Sequence, residues 1–198
     1  MLVRVNDEHD SGGGVSADNA GRVRTVTWDD PVLLIRHGRK LSGTELFERI
    51  RKGEIPPPPF SQLIGLEVFD SSEGRFAMTL LPREFHYNPM GCVHGGILST
   101  LLDSVMSAAV HTGLPAGRGY MTLGININFL KPVYEHTGEV MAEGKVVSMR
   151  RQIATAEGRI VDLKGDLCAT GTATCLIFEM PAKKEISVKK ADTGNSDS

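Results

Sequence analysis

The longest hydrophobic pattern in the chain runs from Gly95 to Val110, where there is no Lys, Arg or Glu and Asp103 is the one charged residue. At 100° per residue, the aliphatic side chains fill one half of a helical wheel, and Ser99, Asp103 and Ser107 form a lane on the other half. A helix with so little charge offers no face to water, so it is predicted to be buried on all sides. The lane of small polar residues leaves room beside the carboxylate for another backbone or for a ligand.

Elements predicted around this helix follow from the same kind of pattern. Ser42-Gly43-Thr44-Glu45 is a capping box, and apolar residues at helical spacing follow it. Strand alternation is clearest where apolar residues from Met121 to Phe129 alternate with Thr, Gly and Asn. The predicted strands are Ile64–Phe69, Arg75–Leu81, Met121–Phe129, Glu139–Met149, Gln152–Asp162 and Asp166–Phe178. Two strands, a long buried helix and four more strands predict an α+β fold with one antiparallel sheet curled around one helix.

The two ends of the chain are predicted to lie outside the single domain. The domain is expected to span residues 41–179, after a flexible extension at 1–40 and before a disordered tail at 180–198. The prolines at Pro56–Pro59 are predicted to stop the first helix and to form a stiff extended connector. With 198 residues and 40% hydrophobic content, the chain can build one core.

Charge and composition exclude several classes of function. A net charge of −2 without a basic stripe argues against nucleic acid as a partner. No apolar run is long enough to span a bilayer or to act as a secretory signal, which predicts a cytoplasmic protein without a membrane partner. Cys92, Cys168 and Cys175 lack metal-ligand spacing and are an odd number, so they are expected to be reduced thiols, with no metal and no cofactor.

Candidate chemistry lies at the start of the central helix. The first-turn N–H groups of a helix have no partner inside it, and Gly95-Gly96 lets a ligand approach them closely. Such a donor can hold a developing oxyanion. With the carboxylate of Asp103 further along the helix and the amide of Asn88 before it, these groups suggest acyl transfer or hydrolysis.

The residues before the helix form the motif Asn88-x-x-Gly91-x-x-His94-Gly95-Gly96, and Asp103 follows the histidine by nine residues. This pattern resembles that of the PaaI-type (phenylacetyl-CoA) hotdog-fold acyl-CoA thioesterases. The resemblance covers residues from about 41 to 178, including the first helix and the proline run. It implies a hotdog fold, an acyl-CoA substrate and a homodimer whose active sites are built from both chains, with dimers pairing into tetramers.

The resemblance also implies a role for each residue of the motif. The Gly95 N–H is expected to polarise the thioester oxygen. Asp103, from the other subunit, is expected to act either as a general base on water or as a nucleophile through a mixed anhydride, and the sequence does not choose between them. Asn88 is expected to position the thioester, and Thr122 to orient the water. His94 is assigned a structural role in the loop in preference to proton transfer.

Binding of coenzyme A is assigned to basic residues at a predicted turn. Arg150 and Arg151 are candidates for its phosphates, although a purely solvated turn explains them equally well. Gly96 is expected beside the substrate. The acyl pocket is expected between the Phe85–Tyr87 loop, the central helix and the Met121 strand, with the acyl group itself left open.

Two other functions compete with the thioesterase. A hotdog hydratase or dehydratase needs a histidine-bearing motif that the sequence lacks. A non-catalytic acyl-CoA-binding or sensing hotdog protein is the stronger alternative, but such a protein has no need of a carboxylate at Asp103 beside the thioester.

Overall fold

The computed structural model describes residues 21–180. The predictions for residues 1–20 and 181–198 lie outside the described part of the chain. Four α-helices and six strands follow one another in the order α1 (Pro31–Gly38), α2 (Gly43–Arg51), α3 (Pro59–Ile64), β1 (Leu66–Ser72), β2 (Arg75–Leu80), α4 (Gly95–Thr112), β3 (Arg118–Phe129), β4 (Val140–Met149), β5 (Ile153–Val161) and β6 (Leu167–Glu179).

All six strands belong to one antiparallel sheet in the order β1-β2-β4-β5-β6-β3. Helix α4 lies against it and contacts every strand. Leu101, Leu102 and Val105 are completely buried in the resulting core. The predicted α+β architecture, with one curved sheet around one long helix, is therefore confirmed, and so is the predicted start of that helix at Gly95.

A row of glycines brings α4 close to the middle of the sheet. Gly144, Gly158 and Gly171 are direct neighbours across β4, β5 and β6. A methyl group on Gly144 would overlap the backbone carbonyl of Val105, and one on Gly158 would lie 2.8 Å from Cγ of Met106. The row therefore lets the helix pack almost directly on the backbone of the sheet.

The segment before β1 contains more helix than the sequence predicted. The capping box is confirmed, because the Glu45 N–H donates to Ser42 Oγ and the Ser42 N–H donates to the Glu45 carboxylate. Helix α1, however, lies inside the segment expected to be a flexible extension. Helix α3 begins at the last proline of the predicted connector, Pro59, and occupies the start of the predicted first strand, so β1 begins at Leu66 rather than Ile64.

The regular alternation predicted for β3 is interrupted by a bulge between Thr122 and Gly124. Thr122 contacts α4, whereas beyond the bulge Ile127 packs against the core. Asn126 and Asn128 line a groove on the opposite face of the sheet. The expectation of a single polar face from Thr122 to Asn128 was therefore wrong, because one extra residue exchanges the two faces.

None of the helices within residues 21–180 is long and apolar enough to cross a membrane.

Candidate active site

Asn88 organises the loop that leads into α4. Its Oδ1 accepts hydrogen bonds from the N–H groups of Met90, at 2.9 Å, and Cys92, at 3.3 Å. Its Nδ2 donates to the sulfur of Cys92 at 3.3 Å. These contacts form an Asx turn, in which an amide side chain replaces a backbone group. Asn88 thus shapes the loop, and one of its two amide hydrogens remains for another acceptor.

His94 is the N-cap of α4. Its Nδ1 accepts a 2.8 Å hydrogen bond from the Gly96 N–H, and its own N–H donates to the carbonyl of His86. The structural role assigned to His94 is therefore present in the structure. Within residues 21–180 the Gly95 N–H has no hydrogen-bond acceptor, because the cap uses the neighbouring donor. The loop leaves one N–H directed out of the first turn of a long helix.

The two glycines at the start of α4 are each in close contact with a ring. A methyl group on Gly95 would lie 3.1 Å from Cζ of Phe129, at the end of β3, and one on Gly96 would lie 2.9 Å from Nδ1 of His94. On these sides the absence of a side chain makes room for the protein's own rings. A ligand that uses the Gly95 N–H must therefore approach from another direction.

Asp103 is bound to β3 through Thr122. Thr122 Oγ1 donates a 2.9 Å hydrogen bond to Asp103 Oδ1. The Asp103 side chain is partly exposed, and its second oxygen is unpaired within the described chain. The structure thus brings two of the predicted site residues together, a carboxylate and a hydroxyl that orients it.

A second pair, which the sequence analysis missed, lies one helical turn further along. Ser107 follows Asp103 by four residues on α4, and Tyr120 precedes Thr122 by two on β3. Ser107 and Tyr120 therefore face each other between α4 and β3, as Asp103 and Thr122 do. The Ser107 hydroxyl donates to the Ser104 carbonyl at 3.4 Å, and burial raises the pKa of Tyr120. The alternation of β3 contained the signal, because Tyr120 extends the polar series of Thr122 by one step.

One chain does not bring Gly95 and Asp103 together. Eight residues of helix separate them, which corresponds to about 12 Å along the axis. At that distance the Gly95 N–H and the Asp103 carboxylate of one chain cannot both act on the same thioester carbonyl. The candidate site of a single chain is therefore incomplete.

Arg150 and Arg151 are exposed at the tip of the β4–β5 hairpin. The Arg150 N–H donates to the carbonyl of Ile153 and closes the turn. The guanidinium of Arg118, at the start of β3, donates to the carbonyl of Arg151 at 3.0 Å. The basic group at this end of the molecule thus includes a third arginine that the sequence analysis did not select.

Two histidines near the candidate site, His86 and His111, are buried. The Nε2–H of His86 donates to the Ile64 carbonyl, and its Nδ1 accepts from the Arg83 N–H, which ties α3 to the loop before α4. Burial lowers the pKa of His86, and it lowers the pKa of His111, near the end of α4, to about 4. The His111 ring packs 5.1 Å from the ring of Tyr120. Both histidines are neutral at pH 7.

Comparison with known proteins gives the family. Residues 90–169 match the thioesterase superfamily. A proposed esterase of Halobacterium salinarum is 30% identical over 103 residues, which cover 50% of this chain and 66% of that protein. The structure of a proposed thioesterase of Ralstonia eutropha, a phenylacetic acid degradation-related protein, is 29% identical with a TM-score of 0.60 and covers 66% of this chain and 98% of its own.

A more distant structure supports the fold alone. A protein of Streptococcus mutans is 21% identical with a TM-score of 0.53, over 58% of this chain and 90% of that one. The matched region contains α4 and three of the six strands, β3, β4 and β5. Gly95 and Asp103 lie on α4, and Thr122 lies on β3. The matched region is therefore a thioesterase-superfamily domain, and the structure has the hotdog fold of these solved proteins.

Proposed function

We propose that the protein is an acyl-CoA thioesterase, which hydrolyses the thioester to a free acid and coenzyme A. The observation that carries the proposal is the combination on one helix of an unpaired N–H at Gly95 and a carboxylate at Asp103 that Thr122 orients. An N–H at a helix start stabilises negative charge, and a carboxylate with a free oxygen can accept a proton or attack a carbonyl.

The proposed active unit is a homodimer formed through β3. This strand is at the edge of the sheet, and Met121, Leu123 and Ile125 along it are 56%, 57% and 44% exposed. An apolar edge strand with unpaired backbone groups is a surface for pairing with another strand. A two-fold axis through the middle of β3 would continue the antiparallel sheet from one subunit into the other.

This pairing would also complete the site. Gly95 packs under Phe129 at the end of β3, whereas Asp103 is bound to Thr122 in its first half. Antiparallel pairing sets the end of one β3 beside the beginning of the other. The partner subunit's Gly95 would then lie on the side of Asp103, and two equivalent sites would form at each interface.

In the proposed reaction the thioester oxygen accepts a hydrogen bond from the Gly95 N–H. In one route Asp103 takes a proton from water, the oxygen of the water attacks the carbonyl carbon, and the carbon–sulfur bond breaks as the thiolate leaves. In the other route Asp103 itself attacks, releases coenzyme A and forms a mixed anhydride that water then hydrolyses. In both routes the Gly95 N–H holds the tetrahedral oxyanion, a contact typically worth about 2.7–4 kcal/mol in the transition state.

Asn88 and the arginines have supporting parts in this proposal. The free amide hydrogen of Asn88 is available to the thioester, and Arg118, Arg150 and Arg151 supply positive charge for the phosphates of coenzyme A. The Streptococcus mutans structure was solved bound to acetyl-CoA, which is consistent with this type of ligand for the fold. Tetramer formation and a cytoplasmic location stay predictions.

The test is the release of coenzyme A thiol from a panel of acyl-CoA esters. Asp103→Asn is expected to lower kcat by a factor of about 10² or more while the dimer stays folded. Asp70→Asn is the matched control, because Asp70 is an exposed carboxylate on β1 and its loss should leave the rate unchanged. Full activity of Asp103→Asn would refute the mechanism. Binding of the esters without hydrolysis by the wild-type protein would favour the acyl-CoA-binding alternative.

A further inference from the structure

A cavity of about 380 Å³ lies over the part of α4 that the sheet leaves uncovered. One wall is formed by α4 and β3, and another by β1 and β2. Helix α2, the proline segment and helix α3 close the cavity as a roof. Its lining includes Phe47, Phe60, Ser61, Ser104, Ser107 and Tyr120. Most of the roof comes from the segment that precedes the region matched to the family.

The cavity lies next along α4 from the candidate carboxylate, which is not itself part of the lining. Ser104 is the next residue after Asp103, and Ser107 lies one turn of α4 beyond it, a distance of about 5.4 Å along the axis. Tyr120 lies two residues before Thr122 on the side of β3 that faces α4. An acyl group whose carbonyl carbon is held at Asp103 can therefore extend along the helix into the cavity.

The lining of this cavity combines apolar side chains with hydroxyls, and Arg51, Gln62 and Glu67 add two charged groups and an amide. Ser107 and Tyr120 line the cavity on the side of α4 and β3, and the Ser107 hydroxyl donates to the Ser104 carbonyl at 3.4 Å. Ser61, on α3, is only 2% exposed, and its Oγ has no hydrogen-bond partner within the described chain. A buried hydroxyl without a partner is unfavourable and uncommon in folded proteins. A bound group with a hydrogen-bonding atom would give Ser61 the partner that residues 21–180 do not supply.

We propose that this cavity is the acyl subsite and that it selects a compact acyl group with a hydroxyl or similar polar substituent at its far end. The inference rests on the proposed thioesterase function and specifies its substrate class. The hydroxyls of Ser61, Ser107 and Tyr120 bind the distal substituent. Phe47 and Phe60 pack against the carbon chain. The Phe85–Tyr87 loop, which the sequence analysis expected to line the acyl pocket, is absent from this lining.

The test compares hexanoyl-CoA with 6-hydroxyhexanoyl-CoA, which differ by one terminal hydroxyl. The wild-type protein is expected to prefer the hydroxylated ester in kcat/KM by roughly tenfold, the usual effect of one hydrogen bond. Ser61→Ala and Tyr120→Phe are each expected to remove most of that preference. Ser71→Ala is the matched control, since Ser71 on β1 also carries a buried, unpaired hydroxyl within the described chain but does not line the cavity.

The ratio of two substrates measured on the same variant is independent of how much of that variant folds. Equal kcat/KM values for the two esters with the wild-type protein would overturn the inference, and so would a preference that survives in both Ser61→Ala and Tyr120→Phe. If the wild-type protein hydrolyses neither ester, the proposed function fails. Calorimetric binding of the same two esters to the same variants then tests the subsite, with the same expected ratios.

Discussion

The hydroxyl of Thr122 on β3 donates a 2.9 Å hydrogen bond to Oδ1 of Asp103 on α4. The bond fixes the carboxylate against the edge strand and directs the remaining oxygen away from it. Thr122→Val keeps the shape of the side chain but removes the donor, so it is expected to lower kcat by about tenfold or more with a smaller effect on KM. Thr122→Ser, which keeps the hydroxyl, should retain most of the activity. Equal losses in both variants would show that the methyl group matters and the hydrogen bond does not.

Because the ring of Phe129 lies over Gly95, a smaller side chain at position 129 is expected to compensate for a larger one at position 95. Gly95→Ala brings a methyl group to about 3.1 Å from the ring, and overpacking of this kind typically costs about 1–3 kcal/mol of unfolding free energy. Phe129→Leu in the same chain should relieve the strain, so the double variant should be more stable than the sum of the single effects. Urea unfolding of the four proteins measures the coupling. Additive effects would mean that the loop moves to accommodate the methyl group.

Pairing through β3 predicts that a charge on this strand separates the subunits. Ile125→Lys places a cation on the proposed interface, and is expected to yield monomers that have lost activity, because each site needs both chains. Light scattering after gel filtration distinguishes monomer from dimer for a chain of 21.4 kDa. Leu163→Lys is the control, since Leu163 is 74% exposed in the turn before β6 and away from β3. A fully active Ile125→Lys monomer would refute the shared site.

Because His111 is buried, the free energy of unfolding is expected to fall in acid. Burial lowers its pKa to about 4, whereas the unfolded chain has a histidine pKa near 6.5. As the pH falls, the unfolded state therefore binds the proton first. The contribution of neutral His111 to the free energy of unfolding is fully present above pH 6.5 and is lost between pH 6.5 and pH 4. From pH 8 to pH 5 this group should account for a loss of about 2 kcal/mol.

Urea unfolding at the two pH values measures this loss. His111→Gln should reduce the pH dependence of the unfolding free energy by that amount, whatever its effect at pH 8. His136→Gln, at an exposed histidine, should leave the dependence unchanged. If His111→Gln and the wild-type protein show the same pH dependence, then His111 is protonated equally in the folded and unfolded states.

The central helix and its polar lane were predictable because a single carboxylate stands out in an apolar sequence. The capping box at Ser42 was predictable for a similar reason, since its signal is local. Helix α1 was missed although Asp30 and Pro31 form a standard N-cap and first position, and the Asp30 carboxylate does accept from the Val32 N–H. Helix α3 was missed because the proline run was interpreted as an extended connector up to its last residue.

The bulge in β3 and the cavity could not be obtained from sequence pattern. Apolar residues continue through the bulge on the same alternate positions, so nothing in the sequence marks the exchange of faces between Thr122 and Gly124. The cavity brings together Ser61, Ser107 and Tyr120 from three separate elements, and only tertiary packing makes them neighbours.

The row formed by Gly144, Gly158 and Gly171 limits which substitutions the contact between α4 and the sheet can accept. Where side chains separate a helix from a sheet, a change in one can be absorbed by new rotamers in the others. At Gly144 the backbone of the sheet meets the backbone of α4 at Val105, so a methyl group there can be accommodated only by moving the helix. Gly158 and Gly171 meet the side chain of Met106. Because Gly95 and Asp103 belong to the same helix, the contact at Gly144 sets the position of both proposed reactive groups at once, from a point two residues beyond Asp103.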